Sequence, residues 1–96
     1  MTTQAEVGAW HRATFDPCPL GWVGLKLAAE AGEVAQAILT LEGEPRREGR
    51  TYEDLRGEAA DTLIVLFAIA ERAGFDLLAA TEERFAEVSR RRFAGT

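Results

Sequence analysis

Cysteine, proline and long apolar runs are scarce in this sequence, which has one cysteine and three prolines in 96 residues. Because a single cysteine, Cys18, can form neither an internal disulfide nor a cysteine-rich zinc site, we expect a reducing compartment such as the cytoplasm. The longest apolar run covers residues 63–70, whereas a helix needs about 20 apolar residues to cross a bilayer. The N-terminus also lacks the basic and apolar pattern of a signal peptide. We therefore expect no membrane partner.

Basic residues are fewer than acidic ones. There are 11 lysines and arginines against 16 aspartates and glutamates, which gives a formal charge of −5. Because duplex-binding domains usually carry a basic surface, nucleic acid is not expected as a partner. The length and the 47% hydrophobic content indicate one globular domain over residues 1–96. A chain this short buries little of its own surface, so we expect a homo-oligomer.

Prolines and glycines divide the chain into four predicted helices, which gives an all-α bundle. The predicted helices cover about residues 4–13, 20–41, 52–72 and 77–92. Two prolines end the first, and Gly43 and Gly74 end the second and third. Thr51 and Asp76 are predicted to cap the third and fourth helices at their N-termini.

The third helix is apolar on opposite faces, with Leu63, Leu66 and Phe67 on one and Val65 and Ile69 on the other. A buried strand over residues 63–67 is the alternative, but the flanking residues are helix formers with no turn signal. A helix that is apolar all round must be buried all round. We therefore expect a second copy of the chain to complete the bundle.

An acid-x-x-acid spacing occurs twice, as Glu30 and Glu33 in the second helix and Glu58 and Asp61 in the third. Residues three apart are neighbours on a helix surface, and Glu30 falls within the apolar stripe with Glu33 at its edge. Glu58 and Asp61 fall on the face of the third helix that we expect to be buried. The alternative is that these are solvated surface carboxylates, which is the usual case for a single acid-x-x-acid pair.

Carboxylates turned inward repel one another and lose hydration unless a cation lies among them. Oxygen ligands alone favour Mg²⁺, for which Mn²⁺ can substitute, over zinc or copper. The single histidine, His11, does not stand at the Glu-x-x-His spacing of a di-iron bundle. The pattern therefore predicts a magnesium site.

Residues 26–38, with Glu30-x-x-Glu33, followed by Glu58-x-x-Asp61 and by residues 70–77, resemble the MazG-like all-α NTP pyrophosphohydrolases. The resemblance covers about residues 20–93 and implies a magnesium-dependent hydrolase that converts a nucleoside triphosphate to the monophosphate and pyrophosphate. It also implies a site completed by dimerisation, often as a dimer of dimers. The four acidic residues would hold the metal, and Glu33 or Glu30 would act as the general base.

Two further segments bear on substrate binding. Residues 89–93 are similar to the family's Asn-Arg-x-Arg-aromatic ending, which implies substrate contacts from Ser89, Arg90 and Arg92. Serine stands where asparagine is usual, and Phe85 stands where a lysine is usual. Lys26 could reach a phosphate, although an i,i+4 pair with Glu30 is preferred.

Residues 10–15 and 19–21 resemble the W-x-x-x-T-F and P-x-G elements of a phage-associated MazG-like subgroup, described as dATP/dGTP diphosphohydrolases and including the MazZ enzymes. The resemblance implies a purine deoxynucleotide, dGTP ahead of dATP, and the host cytoplasm for a phage-encoded enzyme. Trp10 and Phe15 would be platforms for the purine. Alternatively, Trp10, Phe15 and Trp22 are core anchors.

Other functions remain open from the residues alone. Within the enzyme class they are a dUTP or dCTP house-cleaning pyrophosphatase and a phosphoribosyl-ATP pyrophosphohydrolase. Outside it, the chain could be a non-catalytic helical oligomer that binds a protein partner or senses a nucleotide.

Overall fold

The computed structural model describes residues 1–43 and 51–94, with side chains described as far as residue 91. These residues form four helices, α1 (Gln4–Phe15), α2 (Leu20–Leu41), α3 (Tyr52–Ala73) and α4 (Leu77–Ala94), and the described ranges contain no strand. The predicted all-α fold is confirmed, and residues 63–67 are helical. Within the same ranges, no helix has both the length and the hydropathy to cross a membrane.

Local signals in the sequence set the helix ends. Thr51 accepts a hydrogen bond from the Asp54 amide at 3.3 Å, and Asp54 accepts one from the Thr51 amide at 2.7 Å. This capping box satisfies two amides that the first turn of α3 leaves unpaired. Asp76 accepts a hydrogen bond from the Ala79 amide at 3.0 Å at the start of α4. Gly74 ends α3 with φ 86°, in the left-handed region that glycine adopts without strain.

The core lies along α3. This helix packs along α2 and α1, and it contacts α4 over a short stretch only. No large side chain is fully buried in the described part of the chain. The core is a small cluster of Val7, Val23, Phe67 and Ala68, with Cys18, Val65, Ile69 and Leu77 packed against it.

Apolar surface remains open on three helices. Leu25 on α2 is 71% exposed, Leu63 on α3 is 44% exposed and Phe85 on α4 is 69% exposed. The radius of gyration is 16.2 Å, whereas a compact chain of this length would have about 12–13 Å. One chain therefore does not surround α3, and its apolar faces are only partly covered within a single copy.

Candidate metal centre

Three carboxylates meet where α2 packs against α3. Glu30 and Glu33 extend from α2 and Glu58 from α3, and each contributes an oxygen that lies within 4.8 Å of the other two. The three-residue spacing on α2 places Glu30 and Glu33 side by side. The sequence-predicted metal ligands Glu30, Glu33 and Glu58 are thus brought together.

Glu30 is the buried member of this group. Its side chain is 7% exposed, and Oε1 lies 2.8 Å from Nζ of Lys26. Oε2 is also buried, and it has no hydrogen-bond partner in the described part of the chain. A buried acceptor without a donor costs about 1–3 kcal/mol, and more when it is charged. A cation among the three carboxylates would satisfy this oxygen, so the donor set fits a hard divalent metal.

Glu33 lies at the exposed edge of the same group. Its pKa is raised, first by a side-chain hydrogen bond with Glu58 and then by the negative charges of Glu58 and Glu30. The positive charge of Lys26 acts in the opposite direction and is the smallest contribution. Two carboxyl groups that hydrogen-bond to each other share a proton, and a divalent cation can take the place of that proton.

Lys26 forms the predicted i,i+4 ion pair with Glu30 while its own side chain stays 63% exposed. The pKa of Lys26 is raised by the hydrogen bond and the charge of Glu30, and to a smaller degree by the charges of Glu33 and Asp61. The preferred interpretation of Lys26 as an ion-pair partner is therefore confirmed. The ammonium group nevertheless remains within reach of a ligand at the edge of the site.

In a single copy of the chain Asp61 is exposed, whereas Glu58 is half-buried. Asp61 also lies outside the group formed by the three glutamates. The reason is that an open cleft lies beside this turn of α3. Asp61 lines the cleft together with Lys26 and Glu30. Asp61 is thus beside the three carboxylates and not among them.

The cleft beside the carboxylates has a volume of about 600 Å³. Its aromatic residues are Trp10, Phe15 and Trp22, whose exposed fractions are 52%, 49% and 67%. These exposures exclude the core-anchor alternative within a single copy of the chain. The remaining lining residues include His11, Cys18, Val23, Ile64 and Val65. A ligand with a flat apolar part and a polyanionic part that carries a divalent cation would match the two sides of this cleft.

The C-terminal substrate contacts are not brought to this cleft. Ser89 lies on α4 and donates a hydrogen bond to the carbonyl of Phe85 at 2.7 Å. Arg90 is exposed, and neither Ser89 nor Arg90 lines the cleft. The side chain of Arg92 lies outside the described residues.

Trp22 was not predicted as a site residue, although the sequence contains a signal for it. Trp22, Lys26 and Glu30 are spaced four apart on α2, which places them on one face of the helix. All of them line the cleft. His11 and Cys18 have no such signal, because their neighbours come from α3, more than 50 residues away in the sequence.

Comparisons of the chain with models of protein families, with curated proteins and with solved structures found no match. The function is therefore inferred from the chemistry of the three carboxylates and of the cleft beside them.

Proposed function

We propose that the protein is a divalent-metal-dependent nucleoside triphosphate pyrophosphohydrolase of the MazG-like type. The observation that carries the proposal is the group of three carboxylates, of which Glu30 also lines the cleft that holds the aromatic residues. A triphosphate requires cations in order to approach these carboxylates, and a nucleoside base requires a flat apolar surface. The proposed products are the nucleoside monophosphate and pyrophosphate.

Glu30, Glu33 and Glu58 would hold Mg²⁺, or Mn²⁺ in its place, with Asp61 as a further ligand from the cleft. When bound, the metal would neutralise phosphate charge and lower the pKa of a water molecule. Glu33 is the better general base because it is exposed and can accept a proton from water that enters at the edge. Glu30 is buried and held by Lys26, which suits a fixed ligand.

The aromatic residues support a purine substrate, and the resemblance of residues 10–15 and 19–21 places dGTP ahead of dATP in this proposal. Trp10 and Phe15 contact each other edge to face, with ring centroids 5.6 Å apart. Their exposed parts, together with Trp22, offer the wide surface on which a purine ring can stack.

We also infer that the active form is a homo-oligomer. The open apolar surface on α2, α3 and α4 would be covered by a second copy of the chain. Ser89 and Arg90, which do not line the cleft of their own chain, are then available to contact the substrate of a partner subunit.

The test is hydrolysis of dGTP, dATP, dUTP and dCTP with Mg²⁺ in ¹⁸O-labelled water. Attack on the α-phosphorus places the label in the monophosphate and releases unlabelled pyrophosphate. Formation of dGDP and orthophosphate would contradict the proposal. A preference for dUTP would remove only the purine assignment, and nucleotide binding without hydrolysis would favour a sensor.

The site is tested by replacing its carboxylates one at a time. Glu30→Gln, Glu58→Gln and Asp61→Asn should each lower the rate of pyrophosphate release by about 100-fold or more, since each removes charge that the metal and the reaction require. Glu53→Gln is the matched control, because Glu53 lies on α3 in an exposed ion pair with Arg56. Unchanged turnover in Glu30→Gln would reject this site.

A further inference from the structure

A single guanidinium on α3 binds the segment that joins α1 to α2. The Arg72 side chain is 15% exposed. Nε donates to Nδ1 of His11 at 3.1 Å, Nη1 donates to the carbonyl of Cys18 at 3.0 Å, and Nη2 donates to Oδ1 of Asp16 at 2.6 Å. Arg72 therefore links the C-terminal part of α1 and the connector after it to the end of α3.

The groups that Arg72 holds form the aromatic side of the cleft. The His11 ring packs against Phe15 and Trp10, with ring centroids 4.8 and 6.1 Å apart. His11 and Cys18 line the cleft directly, whereas Arg72 does not. Arg72 therefore supports this wall from outside the cleft and does not contact a ligand in it.

Besides the contacts of Arg72, the connector has the apolar packing of Cys18 against the core cluster. Its backbone hydrogen bonds are local, from the Asp16 amide to the Arg12 carbonyl and from the Trp22 amide to the Pro19 carbonyl. These bonds define the ends of α1 and α2 and do not fix either helix relative to α3. Core packing of Val7 and Val23 against Phe67 holds α1 and α2 on α3. Arg72 adds polar contacts that hold the C-terminal part of α1 and the connector, next to Trp10 and Phe15.

We propose that Arg72 is a positioning residue that fixes the aromatic wall of the cleft and thereby sets its affinity for a nucleoside base. This inference rests on the proposed function. Arginine spreads five N–H donors over three nitrogens in a rigid plane, whereas lysine presents its three donors from a single nitrogen, which cannot reach acceptors that are spaced along a guanidinium. The interaction should therefore depend on the guanidinium and not on charge alone.

The experiment compares Arg72→Met and Arg72→Lys with Arg56→Met. Arg56 lies on α3 too, but its side chain is 81% exposed and pairs with Glu53 one turn away. The two tryptophans of the chain, Trp10 and Trp22, both line the cleft. Tryptophan fluorescence therefore reports on the cleft itself, through acrylamide quenching and through titration with deoxyguanosine, which carries no phosphate.

We expect Arg72→Met to increase acrylamide quenching and to raise both the Kd for deoxyguanosine and the KM for dGTP about tenfold, or about 1.4 kcal/mol. The kcat for dGTP and the thermal stabilisation by Mg²⁺ should stay within about twofold of wild type, because the carboxylates are untouched. Arg72→Lys should recover part of the base affinity, and Arg56→Met should match wild type.

The outcomes separate this inference from the proposed function. If wild type binds deoxyguanosine but does not hydrolyse dGTP, the proposed function fails and the quenching and binding comparisons still decide the role of Arg72. Wild-type quenching and deoxyguanosine affinity in Arg72→Met would overturn the inference, as would a loss of kcat with KM unchanged. Failure of wild type to bind deoxyguanosine would also overturn it. If Arg72→Met does not fold, Arg72→Lys and Asp16→Asn provide the same comparisons.

Discussion

Replacing Glu58 by glutamine should have opposite effects on stability with and without metal. In the metal-free protein, Glu58 repels the buried Glu30, whose oxygen lies within 4.8 Å. Glutamine removes that charge while its amide can still donate a hydrogen bond to Glu33. With Mg²⁺ present, the same substitution would remove one of the proposed metal ligands. We therefore expect Glu58→Gln to raise stability in chelator and to reduce the stabilisation that Mg²⁺ provides.

The size of the first effect follows from Coulomb's law. Two unit charges 4.8 Å apart repel by about 3.5 kcal/mol at an effective dielectric constant of about 20, and by about 0.9 kcal/mol in bulk water. Because Glu30 is buried and Glu58 is half-buried, we expect a gain between these limits, about 1–3 kcal/mol. For a domain of this size, each kcal/mol corresponds to a shift of about 4–8 °C in Tm.

The assay is thermal unfolding at one protein concentration, because oligomerisation makes Tm depend on concentration. Each protein is measured in chelator and in excess Mg²⁺, with sodium chloride added to equal ionic strength so that screening does not differ. Glu53→Gln is the matched control, since it makes the same chemical change in an exposed pair on α3. The free energy of unfolding of this control should change by less than about 0.5 kcal/mol, so its Tm should stay close to that of wild type.

Two results would refute this reasoning. A Glu58→Gln variant that is less stable than wild type in chelator would mean that the carboxylates do not strain the metal-free protein. A variant that gains as much stability from Mg²⁺ as wild type would mean that Glu58 does not bind the metal.

Three further predictions concern packing, pH and assembly. Gly8→Ala should destabilise the protein, because its Cβ would lie 2.5 Å from Cγ of Glu71, and an overpacking cost of about 1–3 kcal/mol exceeds the helix-propensity gain of about 1 kcal/mol. Gly24 has open space around it, so Gly24→Ala should be neutral or stabilising. The stability of both variants is measured by urea titration. The pKa of His11 is lowered from its ordinary value of 6.5 by burial and by the charge of Arg72, against a smaller opposing effect of Asp16; the folded state therefore resists protonation, and stability should fall as pH drops below about 6.5. His11→Asn should lose this part of the pH dependence, and identical urea midpoints for the two proteins at pH 5.5 and 7.5 would contradict the assignment. Sedimentation at micromolar concentration should show no monomer, and a folded monomer there would reject the oligomer.

The helix ends could be predicted because they depend on residues a few positions apart. Thr51 and Asp54 form their capping box within one turn, and Gly74 adopts its left-handed conformation for lack of a Cβ. The burial of Glu30 followed in the same way from its place in the apolar stripe of α2. Each of these features depends on residues within one short segment of the sequence.

Features that depend on how helices meet could not be predicted. The exposure of Asp61 follows from the open cleft at that turn of α3, and helical spacing alone does not show where two helices separate. The contacts of Arg72 with His11 and Asp16 join residues more than 50 positions apart. Histidine and aspartate near a proline-containing loop give no local sign of such a partner, so this link emerges only from the tertiary structure.

The ion pair of Lys26 with Glu30 bears on the order in which the centre is assembled. An ammonium 2.8 Å from a buried carboxylate acts as a tethered counterion that is supplied by the fold itself. The chain can therefore fold before any divalent ion arrives, unlike small domains whose folding requires the metal. At the proposed site, Mg²⁺ would have to compete with this lysine, which would weaken retention of the free ion. Such a centre would be loaded by metal that arrives already bound to a triphosphate and emptied when the products leave.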